Sequence, residues 1–111
     1  MKPIPKKLLI HSASAVIQGE PDKWGNKPIE STTQLSHVRV DPSSSLSLNN
    51  RNEQVRLSAV LFFDCKNSRP AGFDFEHTQK IVYGGQEYNI VQIGKFFDES
   101  RLHHYEVELC L

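Results

Sequence analysis

The chain of 111 residues has the size of one domain with one core, too small to enclose a deep catalytic cleft between two lobes. Its 13 Lys and Arg balance its 13 Asp and Glu, so net charge supplies no field to draw in nucleic acid or an anionic membrane. Two cysteines, Cys65 and Cys110, are too few for the disulfide framework of a small secreted domain and read as thiols.

In chain order, the opening MKPIPKKLLIHSAS holds only Leu8-Leu9-Ile10 as an apolar run. That is short of the roughly 7 to 15 residues of a signal-peptide core and the roughly 20 of a membrane span, so the expectation is a cytoplasmic protein with no membrane segment. Apolar residues do not recur at helical intervals over any useful window. LLIHSASAVIQ (8–18) and TQLSHVRV (33–40) read as strands, joined by GEPDKWGNKPIES (19–31), whose Gly, Pro, Asp and Asn mark a connection. Trp24 in that connection is expected to pack down as a lid on the core, with a partner contact as the alternative.

The segment DPSSSLSLNNRNEQ (41–54) is polar and without periodicity, and reads as a long mobile loop. Loops of that length in compact domains often bind partners. QVRLSAVLFFDC (54–65) is the clearest strand: Val55, Leu57, Ala59, Leu61, Phe63 and Cys65 share one face, with Arg56, Ser58 and Asp64 on the other. Val60 and Phe62 make the second face apolar at its centre, which predicts cover on both sides, from the same chain or from a neighbouring subunit.

KNSRPAGFDFEHT (66–78) is a connection that Phe73 and Phe75 should anchor to the barrel wall. KIVYGGQEYNIVQI (80–93) predicts a hairpin with a type I′ turn at Gly84-Gly85, placing Tyr83 opposite Gln86 and Ile81 opposite Tyr88. Beyond Ile90 the apolar phase slips to Val91 and Ile93, which calls for a bulge or a strand buried on both faces. In RLHHYEVELC and the residue after it, Tyr105, Val107, Leu109 and Leu111 line one face of a strand, and His104, Glu106, Glu108 and Cys110 the other. The reading that emerges is all-β: a small antiparallel β-barrel of about six strands, one domain over 1–111, with 41–54 as its long polar loop.

Chemistry is thinly represented. His104, Glu106 and Glu108 are metal-binding types, but same-face neighbours on a strand stand roughly 6.5 to 7 Å apart and the spacing matches no zinc pattern. No G-x-S-x-G elbow or Cys-His signature suggests a nucleophile, and Gly84-Gly85 lacks the further glycines, lysine and helix of a phosphate loop. The expectation is therefore no catalytic residue, no metal and no cofactor. Phe62, Tyr83, Tyr88 and Phe96 could stack on bases, so a small nucleic-acid-binding barrel is the alternative, set against the balanced charge.

Several strings go further. KKLLIHSAS (6–14), WGN (24–26), VRVDPS (38–43), AVLFFDCKNSRPAG (59–72), KIVYGGQEYNIVQI (80–93) and LHHYEVEL (102–109) together resemble the minor capsid proteins of long-tailed bacteriophages and prophages, a branch of the head-completion or stopper proteins. The resemblance implies a non-enzymatic β-barrel of the virion, assembled in the bacterial cytoplasm as a homo-oligomeric ring below the portal. Such a ring would bind the portal or its adaptor and the tail proteins, with DNA only as channel cargo, and its isolated subunit could be a monomer. On that reading Ser43, Ser44, Ser45, Leu46, Ser47, Leu48, Asn49, Asn50 and Arg51 are candidates for a channel or partner loop, and Val60, Phe62 and Trp24 for a subunit interface.

Overall fold

Gly84 and Gly85 adopt φ of 60° and 76°, the pair of positive values that a type I′ turn demands, and the hairpin they close has the expected register of Tyr83 against Gln86 and Ile81 against Tyr88. The computed structural model describes residues 2–18, 24, 30–49 and 51–111. Its strands are β1 (His11–Gln18), β2 (Glu30–Pro42), β3 (Leu46–Leu48), β4 (Gln54–Arg56), β5 (Ala59–Asp64), β6 (Lys80–Tyr83), β7 (Gln86–Asp98) and β8 (Arg101–Cys110), preceded by one 3-10 turn at Lys6–Leu8. Six of them close an antiparallel barrel in the order β1-β2-β5-β8-β7-β6, and among the described residues β3 pairs with β4 alone. Among the described residues no helix is long and apolar enough to cross a membrane.

Period-two patterning builds the wall. On β5 the side chains of Ala59, Leu61 and Phe63 are buried, and on β8 those of Tyr105, Val107 and Leu109. Leu35, Val38 and Val40 from β2 and Ile81 from β6 complete the interior, each large apolar side chain contributing roughly 1.5 to 3 kcal/mol by leaving water. Phe75 does more than anchor its connection to the wall. It is fully buried, with ring centroids 5.5 Å from Phe63 and 5.1 Å from Tyr105, while Phe73 sits 4.8 Å from Phe75. These tilted and edge-on contacts are the arrangement that aromatic quadrupoles favour.

Bulges close the barrel. The expected slip after Ile90 is a register shift in the β7–β8 ladder between Ile90 and Gln92. Here β7 leaves the short β6, which it pairs through Asn89, and runs on against β8. A second shift sits between His11 and Ala13, where β2 carries the additional residue. There His37 has φ of 53°, Ser36 exchanges two backbone hydrogen bonds of 3.0 Å with Arg69, and the His37 carbonyl accepts the Ser68 hydroxyl. The 66–78 connection thus holds a bend that increases local twist.

Four expectations change. Residues 41–54 are not structureless: β2 runs to Pro42, and β3 and β4 pair as Leu46 with Arg56, Ser47 with Val55 and Leu48 with Gln54. The turn between them is built by Asn49, whose Oδ1 accepts the amides of Arg51 at 2.9 Å and Glu53 at 3.0 Å, an Asx-type turn that needs no apolar contact. Residues 54–65 are not one strand. The chain changes partner at Leu57, whose amide donates to the Ser45 carbonyl, and Ser58, whose amide donates to the Leu109 carbonyl. The alternation of buried residues continues across the break, so the pattern alone hides it.

Asp64 does not face outwards with Arg56 and Ser58; it is fully buried. One of its oxygens accepts the Ile4 amide at 3.0 Å, and the other accepts the Lys66 and Asn67 amides at 3.1 and 2.8 Å. A buried carboxylate needs such partners to offset its lost hydration. Leu111 lies beyond β8 and is exposed, so the apolar face ends at Leu109.

Candidate functional site

The outer face of β5 is where the barrel leaves apolar side chains half-buried. Cross-strand registry arranges it as two rows: Arg39, Phe62, Glu106 and Gly94 in one, Asp41, Val60, Glu108 and Gln92 in the other. Val60 and Phe62 are half-buried in this single chain, so the chain itself supplies only part of the cover expected for their second apolar face. To one side Arg39 Nε donates to Asp41 at 2.8 Å; to the other stand the carboxylates of Glu106 and Glu108. Two shallow hollows flank the apolar centre. Ile4 and Leu8 from the N-terminal segment join Arg39, Asp41 and Phe62 around the first, and Val60, Gln92, Gly94, Phe96, Glu106 and Glu108 line the second.

Gly94 earns its place by close approach. A Cβ there would meet Phe96 at 2.9 Å and the Glu106 carbonyl at 3.4 Å, so glycine lets the Phe96 ring fold over the sheet and stack on His104, with centroids 4.9 Å apart and planes 6° from parallel.

The β3–β4 hairpin rises beside this face. Ser43 and Ser45 bind it to the barrel's end through the amide of Ser43 on the Ser58 carbonyl and the amide of Leu57 on the Ser45 carbonyl, and Ser44 offers its carbonyl to Arg56 at 2.7 Å. Ser47 donates its hydroxyl to Glu108 at 2.8 Å, a side-chain link from hairpin to wall. Leu46 and Leu48 point outwards, 55% and 50% exposed, and Arg51 is exposed at the tip. Asn50 lies outside the described residues. The structure therefore brings Ser47 near Val60, through Glu108, but sets Leu46 and Leu48 on the hairpin's opposite face.

Trp24 is 77% exposed in a turn, which overturns its reading as a core lid; Phe73, Phe75 and Tyr105 already fill the aromatic centre of the interior. Most of the connection around it lies outside the described residues.

Patterning singled out Glu106 and Glu108 as metal-binding types without finding their partners. His104 Nε2 lies 2.8 Å from Glu106 Oε2 and Glu108 accepts from Ser47, while His103 and His104 approach each other at 2.7 Å between Nδ1 atoms. Among the described residues no three His, Cys, Asp or Glu side chains converge as a metal site. The four aromatics considered for base stacking are dispersed: Tyr83 packs edge-on against His11 at 5.2 Å, Tyr88 packs against the core, Phe62 sits mid-face and Phe96 lies on His104. Burial, and next the Asp64 carboxylate, push the Cys65 thiol up, which keeps it protonated and a poor nucleophile. Missed by the sequence reading was the Asp64 cage, although Asp-Cys-Lys-Asn-Ser carries the turn chemistry that builds it.

The face thus has an apolar centre, a border of opposed charges and a polar hairpin beside it. Neither the curated proteins nor the solved structures searched gave a match. The family model described as minor capsid protein matches residues 5–109, nearly the whole chain, and the chain belongs to that family of structural virion proteins.

Proposed function

We propose that this chain is a head-completion, or stopper, component at the head–tail junction of a long-tailed bacteriophage. Copies assemble as a ring, bind the portal or its adaptor on one side and the tail on the other, and help retain packaged DNA. The observation that carries the reading is the family match over residues 5–109; the surface supports the details. Where the barrel is closed it offers no free ladder edge, so there neighbours meet it through side-chain faces, and beyond it through the projecting hairpins. Val60 and Phe62, bordered by Arg39 and Asp41 on one flank and Glu106 and Glu108 on the other, form one half of a head-to-tail subunit contact, with Trp24 as a further contact. The hairpin with Ser43, Ser44, Ser45, Leu46, Ser47, Leu48, Asn49, Asn50 and Arg51 faces the channel or the next ring. Zero net charge suits a passage that DNA crosses without adhering.

Electron microscopy of particles produced without this protein tests the proposal. Filled or leaking heads without tails are expected; normal infectious particles would refute it.

A further inference from the structure

Two adjacent strand residues normally point to opposite faces, yet His103 and His104 touch. The cause is the register shift at the outer end of the β7–β8 ladder: Phe96 pairs with His104 and Phe97 with Leu102, leaving His103 as the extra residue of a bulge. There a strand bends and re-aims a side chain. The result is a linear chain of contacts. His103 Nε2 lies 2.7 Å from the Lys2 carbonyl, His103 Nδ1 lies 2.7 Å from His104 Nδ1, and His104 Nε2 lies 2.8 Å from Glu106 Oε2.

Both ends are acceptors, a carbonyl and a carboxylate, so the three links need three N–H protons. Two neutral imidazoles carry only two. With His103 protonated on Nε2 and His104 on Nδ1, His104 Nε2 faces the Glu106 carboxylate as a second acceptor; with both tautomers reversed, His103 Nε2 faces the Lys2 carbonyl in the same way, and because a bond to a carboxylate is the stronger of the two, the neutral pair keeps Glu106 and gives up Lys2. A single imidazolium, His104 donating from both nitrogens and His103 donating from Nε2, satisfies every link. The Phe96 ring stacked on His104 adds a π face beside that charge. A second added proton would turn two Nδ1–H groups towards each other.

We infer that His103, His104 and Glu106 form a one-proton clasp that holds the N-terminal segment on the barrel and loosens when that proton leaves. The segment is poised for this. It carries Lys2, Lys6 and Lys7, and it is tied down at Ile4 through the Asp64 carboxylate and through its carbonyl on Asn67 Nδ2 at 2.7 Å, and at Leu8 through Arg39. Ile4 and Leu8 also line the hollow beside Phe62, so the clasp controls what covers one flank of the apolar face. Around the histidines stand Lys2 from the segment, Asp64, Cys65 and Lys66 from the end of β5, Asp98 from β7, and Arg101 from β8. Lys66 and Arg101 oppose Asp64 and Asp98 in sign, and Asp64 is the cross-strand neighbour of His104. Histidine exchanges its proton between about pH 5 and 8, and the inference is independent of where in the virion the protein sits.

Amide exchange at Ile4 in the folded chain, as a protection factor corrected for intrinsic rate, measures the clasp. Protection should fall about tenfold from pH 6 to pH 8.5, the size of one charge-assisted hydrogen bond discounted for partial exposure. In Glu106→Gln the amide donates to His104 Nε2, so two neutral imidazoles suffice and the fall should vanish. Wild-type protection constant across that range, or an equal fall in Glu106→Gln, overturns the inference. Imidazole nitrogen shifts of the wild type at pH 6 decide the matter without any variant: His104 protonated on both nitrogens and His103 on Nε2 supports it, and His103 protonated on Nδ1 alone refutes it.

Discussion

The two projecting hairpins of this protein are held in different ways. The β7–β8 hairpin extends the barrel wall: its ladder runs from Asn89 and Cys110 out to Asp98 and Arg101, and for much of that length β8 also pairs with β5 through Ala59 to Asp64. The β3–β4 hairpin has three paired positions, no further strand on either edge among the described residues and, as side-chain support from the wall, the Ser47 to Glu108 hydrogen bond. Its own turn is kept by Asn49. One arm is stabilised by burial shared with the whole core, the other by local hydrogen bonds whose net worth is small in water. An arm of the second kind can change its surroundings without unfolding the barrel, which suits a segment that meets a partner.

The largest test of that contrast is a pair of truncations. Phe63→Ala, which empties the aromatic centre, should cost about 3 to 5 kcal/mol in denaturant unfolding. Leu48→Ala on the hairpin's outer face should stay within about 0.5 kcal/mol. Equal losses would mean that the hairpin belongs to the same cooperative unit as the wall. Next comes Asp64→Ala, which strips three part-buried amides of their acceptor and should cost about 3 kcal/mol, with faster exchange at Ile4, Lys66 and Asn67.

Asn49→Ala separates local from global stability. It should raise exchange at Glu53 about fivefold, roughly 1 kcal/mol, while the global midpoint holds. In the isolated wild-type subunit residues 43–53 should exchange faster than the barrel strands and become protected on assembly into the proposed ring; equal protection in the free subunit would break the comparison. The smallest effect concerns Cys65. Its folded thiol is pushed above the ordinary value of 9.0 by burial and then by Asp64, so the folded state retains a proton that the unfolded chain releases. The contribution is present below the ordinary thiol range and lost as pH rises through it, and the unfolding midpoint should drop between pH 8 and pH 10 more steeply than in Cys65→Ala. Tyr105, raised by burial, by Asp74 and by Cys65, would leave a residual slope in that variant at the upper end.

Particular residues show why some of this was legible in advance. Gly84 and Gly85 specify their turn by backbone sterics, so the register of β6 and β7 followed from two letters. The buried faces of β5 and β8 followed from alternation that no partner can alter without exposing Leu61 or Val107. The β3–β4 hairpin was missed because its three-residue strands hold too few apolar residues to show a period, and the Asn49 turn stabilises it by side-chain to backbone bonds instead. The outward apolar pair Val60 and Phe62 was visible, but the charges that border it come from β2 and β8, distant in sequence.

Alternation and turn chemistry, read from the residues alone, determined an all-β chain, its two clearest core faces, the Gly-Gly hairpin and the phase slip on β7, because each depends on steric preferences within a few residues. The partner change at Leu57, the burial of Asp64 beneath the N-terminal segment and the meeting of His103 with His104 were decided by tertiary structure. Each depends on which distant backbone group arrives within hydrogen-bond reach, and only closure of the barrel brings those groups together.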